Sequence, residues 1–64
     1  MENNDLVYIF EELKGIEIKA RDYYNELLEN LSNKHEIEVI TSIRDDEIQH
    51  IQIAEKIINL INKK

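Results

Sequence analysis

Sixty-four residues allow one small domain, and 8 Lys and Arg against 14 Asp and Glu give a formal charge of −6. That balance argues against a nucleic-acid partner, whose phosphates require a basic face, and favours attraction of cations. No cysteine, no proline and a single glycine exclude disulfide-stapled, thiolate-metal and turn-rich architectures.

The opening MENNDLVYIFEEL has neither the basic start nor the small-residue cleavage site of a signal peptide. No apolar run approaches the ~20 residues of a membrane span. A cytoplasmic protein is expected. Asn3, Asn4 and Asp5 are N-cap candidates, and Glu2, Asp5, Glu11 and Glu12 place negative charge near the start of a first helix, predicted over about 5–31. The run ENLSNKHE then breaks the pattern, giving a turn over about 32–34. Asn33 with Glu36 three residues on resembles a helix cap, and a second helix is predicted over about 35–61, closed by Asn62, Lys63 and Lys64. Each helix would be about 40 Å long at 1.5 Å per residue. The expected fold is all-α: residues 1–64 form one antiparallel two-helix hairpin. A hairpin cannot bury a face of that length alone, and a second copy would complete a four-helix bundle.

Alternating spacings of four and three pick out Leu6, Phe10, Leu13, Glu17, Ala20, Tyr24, Leu27 and Leu31 in the first helix, flanked by Ile9, Ile16 and Tyr23. The matching row of the second helix is Ile40, Ile43, Glu47, His50, Ala54, Ile57 and Ile61. Glu17, Glu47 and His50 are the polar exceptions in two apolar seams. Glu17 precedes the turn by as many residues as Glu47 follows it, so an antiparallel hairpin brings them to one height. Ala20 and Ala54 leave space beside them.

Burying carboxylates without compensation costs several kcal/mol each. One resolution is a buried polar network that sets pairing and register. Another is metal: a two-fold dimer would gather four Glu and two His, the ligand set of carboxylate-bridged di-metal bundles, with donors suited to iron or manganese.

The residues that carry the second resolution are Glu17 and, after six intervening residues, Tyr24 in EIKARDYY, followed by Glu47 and His50 in DDEIQH. With these positions the sequence resembles the ferritin-like superfamily, and most specifically the encapsulated ferritins, two-helix chains whose dimers complete a di-iron ferroxidase centre. The interval from Glu17 to Glu47 agrees with that family's spacing. The resemblance implies two irons per dimer, Glu47 bridging them, Glu17 chelating one, His50 as a terminal nitrogen ligand, and Tyr24 supporting a ligand carboxylate. It implies oxidation of Fe(II) to Fe(III), a ring of dimers, and storage in an encapsulin-type shell. Two features depart from the pattern. These 64 residues contain no C-terminal cargo-loading extension, and Ile16 and Lys19 stand where relatives carry acids of a metal-entry site.

Two other functions fit the same residues: a rubrerythrin-like di-metal peroxide scavenger, and a non-catalytic helical oligomerisation module. Tyr8 and His35 are expected at the surface, and Tyr23 in the core or at a subunit interface. Ile48, Ile51, Ile53, Ile58 and Leu60 widen the apolar arc of the second helix beyond one stripe and predict a further subunit contact.

Overall fold

A computed structural model describes residues 3–63, so Glu2 and Lys64, which the charge pattern placed at the helix ends, lie outside the described residues. The chain is two α-helices and no strand among these residues: α1, Asn3–Asn30, and α2, Lys34–Asn62. At 1.5 Å per residue, helices of 28 and 29 residues account for the 47 Å long axis of a rod 14 Å in each other direction. Three residues connect them, and they pack side by side as an antiparallel hairpin.

The chain chooses its boundaries locally. Asn33 has extended dihedrals (φ −77°, ψ 124°), and its Oδ1 accepts from the Glu36 backbone N–H at 3.0 Å, satisfying one of the donors that a helix start leaves free. Asn30 Nδ2 donates to the Glu26 carbonyl at 3.0 Å in the last turn of α1. Asn3, Asn4 and Asp5 are all within α1 rather than capping it, and Asp5 serves as the acid of its first turn. At the far end the Lys63 N–H closes back on the Asn59 carbonyl at 3.1 Å.

The core is thin. Among the described residues Ile51, Ala54 and Ile58 are the buried apolar ones, at 7%, 6% and 7% exposure. This corrects the expectation for the isoleucines of α2: Ile51 and Ile58 seal the hairpin itself together with Ala54 of the Glu47–His50 row, so α1 packs between that row and the one a residue beyond it. Ile53 and Leu60 do remain exposed, at 53% and 62%. Apart from Ala54, the expected seam rows are half-buried to exposed, with Leu13 at 43%. Tyr8, Ile9, Ile16, Tyr23 and Val39 are exposed as well. The surface totals 5025 Å², against about 4,300 Å² for a globular chain of this size.

Two substitutions probe the local choices. Gly15 lies inside α1, and a Cβ there meets nothing within 4 Å, so Gly15→Ala should raise stability by about 1 kcal/mol. Asn33→Ala should lower it by about 1 kcal/mol through loss of the cap. Chemical denaturation followed by helical circular dichroism measures both.

Candidate metal centre

Glu17 comes from the middle of α1, and Glu47 and His50 from the middle of α2, the latter two one helical turn apart and hence on one face. The hairpin brings all three together: one donor atom of each lies within 4.8 Å of the others. His50 Nδ1 is 3.0 Å from Glu17 Oε2. A carboxylate only accepts, so that hydrogen bond places a proton on Nδ1 when Glu17 is ionised. Three donors at about 2.1 Å from one ion would lie about 3.0 Å apart when adjacent in an octahedron, so this cluster fits a single metal with modest contraction.

The electrostatics follow from proximity. The Glu47 carboxyl is held above its ordinary value, chiefly by its hydrogen bond to Glu17, then by partial desolvation and the repulsion of the Glu17 charge. Glu17 is held below its ordinary value, chiefly as acceptor of the Glu47 hydrogen bond and then of that from His50, against the opposing effect of burial. The two carboxyl groups therefore titrate as a pair, with Glu17 giving up its proton more readily than Glu47. A divalent ion can replace the protons that hold the three groups together.

The cluster is open rather than sealed. The Glu17 side chain is 24% exposed and that of His50 is 54% exposed. An apolar groove of about 190 Å³ runs beside them, lined by Phe10, Leu13, Ile53, Ala54 and Ile57 together with Glu17 and His50. Three ligands from one chain would leave further coordination positions of an ion open.

Tyr24 stands two turns from Glu17, and its recorded contact is with Tyr23, ring centres 5.7 Å apart at 63°, rather than with a carboxylate of the cluster. His35 is exposed beside the turn, at the edge of a second apolar groove. Sequence reasoning overlooked the ties on either side of the cluster. Arg44 Nη1 donates to Asn25 Oδ1 at 3.0 Å, and Lys14 Nζ lies 3.9 Å from Glu55 Oε1. The signal for the first was present: Arg44 interrupts the strict seven-residue series Ile37, Ile51, Ile58.

No protein-family model, curated protein or solved structure matches the chain. Nothing beyond its own residues links it to the ferritin-like proteins.

The raised Glu47 carboxyl gives a prediction whose sign depends on metal. A raised acid contributes stability that is full below the ordinary carboxylate value and lost as pH rises through the folded value. Ionising Glu47 beside Glu17 is therefore unfavourable in the metal-free chain, and Glu47→Gln should melt above the parent protein in chelator at neutral pH. With excess Mn(II) the order should reverse, because a ligand has been lost and bound metal stabilises only the parent. Thermal melts under both conditions test this, and the same order in both would contradict it.

Proposed function

We propose that the chain pairs through its open face into a four-helix bundle and oxidises Fe(II) to Fe(III) at a two-metal site built from two Glu17–Glu47–His50 sets. The observation that carries this reading is the convergence of two carboxylates and an imidazole, from two helices, on the exposed apolar side of the hairpin at mid-length. Mid-length placement matters. A two-fold axis perpendicular to the helices and passing near the cluster would superpose the two faces along their full length and set one cluster against its mate.

The excess surface and the half-exposed seam rows support a partner on this face. The identity of the donors supports the metal, since carboxylate oxygen with imidazole nitrogen suits iron or manganese. Four carboxylates would offset the charge of two divalent ions, and each His50 would supply one nitrogen. Iron is then substrate. Two Fe(II) yield two electrons, which with two protons reduce dioxygen to hydrogen peroxide or hydrogen peroxide to water. Glu47, whose carboxyl holds its proton more tightly than that of Glu17, is the group nearest to hand to release one on uptake. The apolar residues of the adjoining groove would keep bulk water away once covered. Peroxide as oxidant would make the same site a rubrerythrin-like scavenger.

The remaining assignments rest on the resemblance and on exposed side chains. Ile9, Ile16 and Tyr23 on α1 and Ile53 and Leu60 on α2 would carry further contacts between dimers, as in a ring. An encapsulin-type shell in the cytoplasm would hold the oxidised product. Among the described residues no helix is long and apolar enough to cross a membrane.

One observation favours a second reading, the non-catalytic oligomerisation module: the His50 ring and the Glu17 carboxylate satisfy each other through a hydrogen bond of 3.0 Å. Metal dependence separates the two. For the ferroxidase, anaerobic protein given two Fe(II) per dimer and then mixed with oxygen or peroxide should form Fe(III) far faster than free iron. His50→Ala should slow that step at least tenfold with helix content unchanged. Mass in solution should shift toward monomer in chelator. Oxidation at the rate of free iron, with a dimer indifferent to chelator, would favour the module.

A further inference from the structure

Glu17, Glu47 and His50 come from the two helices of one chain, and that chain's own packing fixes their spacing. Ile51 and Ala54, both buried, follow Glu47 and His50 by one helical turn each, so the core lies directly beside the α2 donors. On the other flank two ties join the helices, one on either side of the cluster along the rod. Arg44 Nη1 donates to Asn25 Oδ1 at 3.0 Å toward the connection, and Lys14 Nζ lies 3.9 Å from Glu55 Oε1 toward the free ends. Glu17 Oε2 thus stands 3.0 Å from His50 Nδ1 within a single hairpin.

Charge points the same way. Two carboxylates with a neutral imidazole carry the charge that one divalent ion cancels, so one hairpin holds a complete, neutral set. Two empty hairpins brought face to face would instead press four carboxyl groups into an apolar junction, where like charges repel and each group loses water. The groove beside the donors is lined by Phe10, Leu13, Ile53, Ala54 and Ile57, none of which can offset that charge. Access agrees as well. With His50 and Glu17 partly exposed, an ion reaches the donors without opening the hairpin, and water can fill its remaining positions. Donors drawn from two chains would also cost the freedom lost in association, which donors on one chain do not.

We propose that one hairpin binds one divalent ion on its own, through Glu17, Glu47 and His50, and that loading precedes and promotes pairing. Each ion then enters with its own chain, and the two-metal site is the meeting of two loaded halves rather than a cavity filled after assembly. Carboxylate and imidazole donors suit Mn(II) and Fe(II), and Co(II) serves as a coloured probe. The inference rests on the metal-binding part of the ferroxidase reading and not on iron oxidation.

Leu13→Gln/Ile53→Gln removes two exposed apolar side chains from the pairing face and leaves the three donors and the buried core in place. The double variant should stay a single chain by mass in solution, with the helix content of the parent. Co(II) titration followed by visible absorption should then give one ion per chain, with an affinity within about tenfold of the parent's and unchanged on dilution. Adding His50→Ala should weaken that binding by about tenfold or more. For the parent, one Co(II) per chain should shift the mass from one chain toward two. A helical, single-chain double variant that binds Co(II) more than about tenfold weaker than the parent overturns single-chain loading. A parent already paired in chelator, or one that binds Co(II) with no gain in mass, overturns the link from loading to pairing. If the double variant does not fold, the parent diluted to single chains is titrated instead, and an affinity that keeps falling with dilution overturns the proposal. Tight single-chain Co(II) binding, beside Fe(II) oxidised no faster than free iron, upholds this inference and removes the ferroxidase. Absence of Co(II) binding in both proteins removes both.

Discussion

An amphipathic helix normally has one face to bury, and burying it settles which way the helix turns. Here α2 carries two adjacent isoleucine rows, and α1 packs between them, burying Ile51 and Ile58 of one row and Ala54 of the other. The Glu47–His50 row therefore meets α1 at Glu17 while staying partly open to solvent. On the other flank Arg44 donates to Asn25, a directional contact that isoleucine cannot supply. A polar residue in an apolar row that fixes pairing at some cost in stability has the same logic in coiled coils.

The same packing explains why so little is buried. Among the described residues Ile51, Ala54 and Ile58 alone are buried, which leaves the hairpin near the limit of what a single core sustains. Its apolar residues are not scarce; most stay half-buried and several are exposed. A hairpin arranged this way exchanges stability of the single chain for an adhesive face, and the cost is recovered only when that face is covered. Folding, pairing and metal uptake would then be linked equilibria, in which an ion bound by groups from two chains strengthens their association as well as their fold.

Sequence made much of this legible, and its failures are informative. The long helices, the turn at Ser32 and Asn33 and the cap at Asn33 follow from local chemistry, which the chain reveals one residue at a time. The convergence of Glu17, Glu47 and His50 was readable because equal distances from a short turn force equal heights in an antiparallel pair. Which row faces which was not readable from apolar periodicity, because two adjacent rows of α2 carry the same period. Ile51 and Ile58 therefore passed for surplus surface when they are the seal. Tyr24 was placed by resemblance, and its contact with Tyr23 reflects neighbouring positions on one helix rather than any demand of the cluster. Arg44 and Asn25 were overlooked because each is ordinary helix surface on its own and significant only as a pair spanning two helices.

The cluster itself shows what equal heights in an antiparallel pair impose on three titratable groups. Hydrogen bonding to Glu17, then partial desolvation and the Glu17 charge, hold the Glu47 carboxyl above its ordinary value, while hydrogen bonding with Glu47 and with the His50 ring, 3.0 Å away, holds Glu17 below its own. Glu17 is the pivot of that balance: it is the one residue of the three contributed by α1, so its distance from the other two is set by how the two helices pack. The electrostatics of the cluster and the packing of the hairpin are thus one problem.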